Sequence, residues 1–252
     1  MSIRPPEEIN GVLDAAGFAG CFGATVDSLP ARCRDLIERE DFSYQLMQGV
    51  DRDRTILEVL RRIESDTQKI GADDRKDVWE RGWREILDGY VSSNFAPEKL
   101  VPKFIRASQA VRLNQQFVLP RNASFELRFV EVMREWVFHE FFSQFEEIHE
   151  FGCGTGFNLI TLASLYPEKR LFGSDFVPAS VEIANQIAAH LKIRLSARLF
   201  DMVSPPSDYQ LARGSAVFTF GSLEQLASKF DRFLAFLLDR RPGLCLHVEP
   251  TV

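Results

Sequence analysis

The sequence predicts an α/β protein: a doubly wound, mostly parallel sheet over residues 146–252, preceded by a helical region over 1–145. Three observations predict it. After residue 145, short apolar runs alternate with helix-length amphipathic segments, the pattern of βαβ units. Before that point apolar residues recur at helical spacing among charges. The first of the alternating runs ends in three glycines spaced two apart, Gly152, Gly154 and Gly156.

Taken in order, Pro5 and Pro30 stand at the start of helices expected over 5–15 and 30–39. Ile56, Leu57, Leu60 and Ile63 mark a helix within 51–69, and Trp79, Trp83, Ile86, Leu87 and Tyr90 another within 73–92, with Gly71 between them. The stretch 93–122 carries Pro97, Pro102 and Pro120 and reads as loop with broken helix. Phe125, Phe129, Val132, Trp136 and Phe142 mark a long helix over 123–143, with Asn122 or Ser124 as N-cap. Many of the 22 phenylalanines lie between 95 and 157, so aromatic packing is expected there. Beyond 145, strands are expected at 148–151, 170–174, 193–200, 215–220 and 244–248. Helices are expected at 157–166, 179–191 and 222–239, and 204–212 reads as a proline-rich connection with room for a short helix.

Composition excludes several classes of function. The chain has 252 residues, 45% hydrophobic and 26% charged, a folded rather than a disordered balance. A net charge of −6 without a basic block argues against nucleic acid as a partner. No apolar run reaches the roughly 18–20 residues of a membrane helix, and the N-terminus has no apolar signal core. Cys21, Cys33, Cys153 and Cys245 are scattered without a C-x-x-C pair, which excludes a zinc ribbon and suits a reducing, cytoplasmic setting.

Parallel sheets place ligands at the carboxyl ends of their strands. After the first strand the chain reads Glu150-Phe151-Gly152-Cys153-Gly154-Thr155-Gly156-Phe157-Asn158. Glycine permits a sharp turn and a close ligand approach, and the following helix offers free N–H groups. A dinucleotide loop, G-x-G-x-x-G, needs a small third residue at 157, which is Phe157. Asp175 follows Gly156 by one helix and one strand, where a carboxylate can accept two ribose hydroxyls. Asp201 and Met202 end the third strand. The fourth ends in Phe220, followed by Gly221-Ser222-Leu223-Glu224-Gln225. His247 and Glu249 lie on one side of the fifth, a strand expected to be apolar on both faces. Such groups need partners or a task.

The pattern acidic-x-G-x-G-x-G resembles the first motif of class I S-adenosylmethionine-dependent methyltransferases, and the resemblance covers about 145–252. It implies a Rossmann-like core with S-adenosyl-L-methionine as cofactor. Glu150, Gly152, Cys153, Gly154, Gly156 and Asn158 would form the loop under its methionyl part. Asp175 and Phe176 would meet the ribose, Asp201 and Met202 the adenine, and Phe220 the region of the methyl group. The words EFGCGTGFNL, LFGSDFVPAS, SLEQL and HVEP are similar to the bacterial sugar O-methyltransferase branch, which implies a small-molecule acceptor, a hydroxyl of a sugar or related metabolite. An alcohol acceptor needs a base. Glu224, His247 and Glu249 are the candidates, His247 having the pKa best suited to neutral pH. One His and two Glu are too few to claim a metal site. Against the family pattern, the chain lacks the last two strands, an antiparallel hairpin, so a C-terminally shortened domain with the fifth strand at an edge is expected. The region 1–145 is expected to serve as lid, acceptor-binding or dimerisation element, with a homodimer formed through its helices or the sheet edge. His139 and His149 read as structural and the Trp79/Trp83 stripe as core or subunit interface. The arginines of 52–84 read as a solvated face. The competing functions are an NAD(P)-dependent oxidoreductase and a non-catalytic binding protein that keeps the fold.

Overall fold

The computed structural model describes residues 8–65, 75–103 and 105–250. In chain order it contains β1 (Gly11–Val12), α1 (Ala15–Phe22), α2 (Ala31–Arg39), β2 (Ser43–Leu46), α3 (Gly49–Ser65), α4 (Arg75–Ser92), β3 (Val111–Leu113), β4 (Gln116–Pro120) and α5 (Phe125–Phe142). There follow β5 (Glu147–Phe151), α6 (Phe157–Leu165), β6 (Arg170–Asp175), α7 (Pro178–Leu191), β7 (Leu195–Leu199), β8 (Ala216–Phe220), α8 (Asp231–Arg240) and β9 (Leu244–Val248). The chain divides into two compact units, Met1–Thr67 with Lys103–Phe141, and Gln68–Pro102 with Phe142–Val252.

The first unit is not wholly helical. It contains an antiparallel sheet in the order β1-β2-β4-β3. The expected helix over 5–15 is replaced over its described part: Gly11 and Val12 pair with Tyr44 and Ser43. The helix begins only at Ala15, because the Asp14 carboxylate caps it by accepting from Gly17 N at 2.8 Å. Within 93–122 the structure forms the β3–β4 hairpin. Its two-residue turn, Asn114-Gln115, has φ of 47° and 66°, the left-handed pair that a tight hairpin needs. Gln at the second position hides that turn, where Gly would announce it. The aromatic packing expected between 95 and 157 is seen at Phe125, edge-on to Phe42 at 5.5 Å, and at Phe129, stacked on Phe18 at 5.4 Å; Trp136 stacks on Phe22 at 4.7 Å. Ile56, Leu57, Leu60 and Ile63 of α3 are exposed.

The second unit is a five-stranded parallel sheet in the order β7-β6-β5-β8-β9. The first strand, β5, is central. Two strands build outward on one side and two on the other, so the order reverses at the carboxyl end of β5. Helix α4 belongs to this unit. Glu80 Oε2 accepts from Ala179 N at 2.9 Å at the start of α7, and Arg84 bridges Glu80 at 2.8 Å and Glu182 at 2.6 Å. Phe95 stacks on His190 at 4.2 Å. The expected boundary at 145 therefore gives way to a discontinuous division, because residues of α4 find their partners on α7. At the outer edge of β7, the Asn185 side chain pairs with both the N–H and the C=O of Ala197, at 2.9 and 3.0 Å, which blunts an open ladder. The expected single helix over 222–239 is a 3-10 turn, Leu223–Leu226, followed by α8, with Ala227 at φ 50° breaking the two. The connection 204–212 carries no helix. Instead it sends Tyr209 into an aromatic cluster with Phe151, Phe200 and Phe233, the rings 4.6–5.5 Å apart along Phe151–Phe200, Phe200–Tyr209, Phe151–Phe233 and Phe151–Tyr209.

His149 lies in the middle of β5 with 1% of its surface exposed. Its Nδ1 meets Tyr209 Oη at 2.9 Å, and its Nε2 meets Glu147 Oε1 at 3.0 Å. Burial pushes its pKa below the ordinary 6.5, against the pull of Glu147. Unfolded, the imidazole takes up a proton near 6.5; folded, it resists until lower pH. In that window the unfolded state binds more protons, so acid lowers stability. Urea unfolding across pH should show stability falling as pH drops below 6.5, and His149→Gln should flatten that slope by up to one proton. An unchanged slope would remove His149 from the account.

Candidate functional site

Four hydrogen bonds fix the loop after β5. Gly152 N and Cys153 N both donate to Ser174 O of β6, at 2.7 and 3.0 Å. Gly154 N donates to Asp175 Oδ2 at 2.9 Å, and the Ser180 hydroxyl of α7 donates to Gly154 O at 2.6 Å. Gly152, Gly154 and Gly156 all have positive φ, at 76°, 51° and 70°, where a side chain is strained. Glu150, buried at the end of β5, accepts from Asn158 Nδ2 at 2.6 Å and so ties the strand end to α6. Cys153 Sγ lies 3.7 Å from Ser180 Oγ in the buried space under the loop, where burial raises its pKa well above the usual thiol value. It is wedged rather than reactive.

The glycines also make room for protein. A Cβ on Gly152 would lie 2.4 Å from Ser222 Cβ, and one on Gly154 would lie 3.2 Å from Trp83 Cζ2. One on Gly156 would meet Ile187 at 3.5 Å. Trp83, stacked on Trp79 at 5.4 Å, thus forms a wall against the loop. The stripe read as core or interface reaches the candidate site, and no local signal could have placed it there, since more than sixty residues separate Trp83 from the loop.

Asp175 is 4% exposed. Its Oδ1 accepts from Val177 N at 3.2 Å while Oδ2 holds Gly154 N. Burial raises its pKa, and the N–H groups of Gly154, Val177 and Phe176 oppose that rise. The carboxylate expected to face a ribose therefore also holds the loop. The Ser180 hydroxyl opposes the rise as well. Phe176 beside it is half-buried. Asp201 is exposed and its Oδ1 accepts from Val203 N at 2.8 Å. Met202 is buried with the aromatic cluster, its Cε 3.7 Å from the Cβ position of Gly152. Phe220 is half-buried at the end of β8.

Across the switch point, Glu249 departs from the role expected of it. Its Oε1 accepts from the Thr219 hydroxyl at 2.7 Å, Ser222 N at 3.3 Å and Leu223 N at 3.1 Å, and its Oε2 accepts from Glu224 N at 3.2 Å. An oxygen pair engaged by four donors clamps a loop. Glu224 lies in that loop, half-buried, and accepts from Gln225 Nε2 at 2.9 Å. His247 is exposed and its Nδ1 lies 2.9 Å from Thr219 Oγ1. Partial desolvation of the ring lowers its pKa, and Glu249 opposes the shift. Of the three expected bases, His247 is the one whose ring retains an uncommitted nitrogen in these hydrogen bonds. His139 is exposed on α5.

The strand order, the acidic-x-G-x-G-x-G loop and the carboxylates at successive strand ends define the fold of the class I S-adenosylmethionine-dependent methyltransferases. Residues 148–237, about a third of the chain, match a family model described as a methyltransferase domain. Among solved structures, a SAM-dependent methyltransferase from Aquifex aeolicus is similar at 20% identity with a TM-score of 0.38, over 45% of this chain and 62% of that one. PKMT2 from Rickettsia typhi in complex with AdoHcy is similar at 17% identity with a TM-score of 0.34, over 39% and 19%. The StiE O-MT, residues 942–1257, is similar at 20% identity with a TM-score of 0.39, over 49% and 45%. The chain thus spans from about a fifth to about three fifths of the length of these structures. No curated protein matches the chain. No described helix is long and apolar enough to cross a membrane.

Asp175→Asn should cost about 1–3 kcal/mol, because an amide nitrogen must face one of two buried N–H groups. Between 3.8 and its raised folded pKa, native Asp175 holds its proton longer than the unfolded chain does. Wild-type stability should therefore fall as pH rises through that window, and the Asn variant should lack that component. Urea unfolding across pH checks both, and equal stability at every pH would show that the carboxylate does not hold the loop.

Proposed function

We propose that the chain transfers the methyl group of S-adenosylmethionine to a hydroxyl of a small acceptor, a sugar or related metabolite. The observation that carries this reading is the loop of residues 152–156. Its glycines stand at positive φ at the sheet's switch point, with Asp175 and Asp201 at the ends of the next two strands. The residues present fit the cofactor. The loop backbone would carry its amino-acid tail, with Trp83 beside Gly154. The carboxylate of Asp175, at the end of β6, suits ribose hydroxyls, and the exposed Asp201 suits an exocyclic amine.

When bound, the cofactor supplies an electrophilic methyl group on sulfur. The chain's residues then have two tasks. The loop, Asp175 and Asp201 hold the donor in line with the acceptor, which accounts for much of the rate in a reaction between two bound molecules. His247 takes the acceptor's proton. An NAD(P)-dependent oxidoreductase is disfavoured by Phe157, which stands where a dinucleotide loop needs a small residue.

Thermal unfolding with S-adenosylhomocysteine and, separately, NADH separates the readings. Saturation with S-adenosylhomocysteine at about a hundred times its Kd adds about 2.7 kcal/mol of stability, so Tm should rise while NADH leaves it unchanged. Transfer of labelled methyl to a panel of sugars and phenols should follow, with His247→Gln lowering the rate by about 10²–10⁴-fold and leaving S-adenosylhomocysteine affinity intact. Stabilisation by NADH alone would overturn the reading. Cofactor binding with no transfer to any acceptor would favour a binding protein.

A further inference from the structure

The carboxyl ends of β8 and β9 carry a buried chain of hydrogen bonds with a directional consequence. Thr219 is fully buried and lies opposite His247 in the parallel register. Its oxygen has two polar neighbours, Glu249 Oε1 at 2.7 Å and His247 Nδ1 at 2.9 Å. A threonine hydroxyl has one hydrogen to give. The other contacts of Glu249 are the backbone N–H groups of Ser222, Leu223 and Glu224, all donors. A carboxylate so surrounded has no proton to offer, so the threonine hydrogen points to Glu249. The threonine oxygen can then only accept from His247, which places a proton on Nδ1 and leaves the Nε2 lone pair outside the network.

We propose that Thr219 and Glu249 are positioning residues that lock His247 in the Nδ1–H tautomer and present Nε2 as the proton acceptor. This rests on the methyltransferase reading for its purpose, though not for its geometry. As the acceptor oxygen bonds to the methyl carbon, the carbon–sulfur bond breaks and its electron pair passes to sulfur. The acceptor's proton moves to Nε2. The imidazolium so formed keeps its Nδ1–H bond to Thr219, close to the Glu249 charge, and later releases the Nε2 proton to water. Glu249 therefore has a double part: it shapes the loop at 222–224 and, through one hydroxyl, sets the ring's hydrogen.

Long-range proton–nitrogen correlation on the ¹⁵N-histidine-labelled full chain at neutral pH reads the tautomer directly, with His247→Gln assigning the signals. Wild type should show a protonated Nδ1 and an unprotonated Nε2. Thr219→Ser, which keeps the hydroxyl, should look the same. Thr219→Val should give a mixture of both tautomers and shift the acid limb of the methyl-transfer pH profile, which Thr219→Ser should restore. A proton on Nε2 in wild type, or an unchanged tautomer in Thr219→Val, overturns the proposal. If the valine variant does not fold, the wild-type and serine spectra decide. Failure of S-adenosylhomocysteine to stabilise the chain would remove the methyltransferase reading while leaving the tautomer result standing, so the two failures are distinguishable.

Discussion

The carbonyl of Ser174 holds this site together. By accepting from both Gly152 N and Cys153 N, it folds the end of β5 back over the end of β6 and fixes where the loop turns. Two donors converging on one oxygen within three residues demand a backbone that L side chains resist, so the glycines follow from the turn. Asp175, the next residue along β6, continues the clamp through Gly154 N. Glu80 and Arg84 pin α4 to the start of α7, and Trp83 of that helix lies against Gly154.

A second clamp of the same kind stands across the switch point. Glu249 gathers the N–H groups of Ser222, Leu223 and Glu224 as Asp175 gathers those of Gly154 and Val177. In both places a carboxylate at a strand end orders a loop by satisfying donors that would otherwise be buried unpaired. Asp175 is the more enclosed, and its burial raises its pKa even against three N–H groups. Carboxylates thus shape the loops, and the proton acceptor we propose is the imidazole of His247.

Much of the second unit is legible in the sequence because βαβ alternation and the spacing of glycines are local signals. Each of the five parallel strands lies within two residues of its expected bounds. The misses share a cause. The β3–β4 hairpin turns on Asn114-Gln115, whose left-handed geometry leaves no glycine to mark it. The break between the 3-10 turn at 223–226 and α8 depends on Ala227, again at positive φ without glycine. Of the site, the residue types at 150, 152–156, 175 and 201 are readable, while what each one touches is not. That Asp175 and Glu249 hold loops, that Trp83 meets Gly154, and that Thr219 links His247 to Glu249 all depend on long-range register. Tertiary contacts of that kind leave no trace in spacing.

The most direct measurement is a structure of the chain grown with S-adenosylhomocysteine. The account predicts density for the amino-acid tail along the backbone of residues 152–156 beside Trp83, ribose oxygens within hydrogen-bond distance of Asp175, and the adenine edge at Asp201. Density for the ligand at any other place on the sheet, or a loop left bare at saturating ligand, would contradict it.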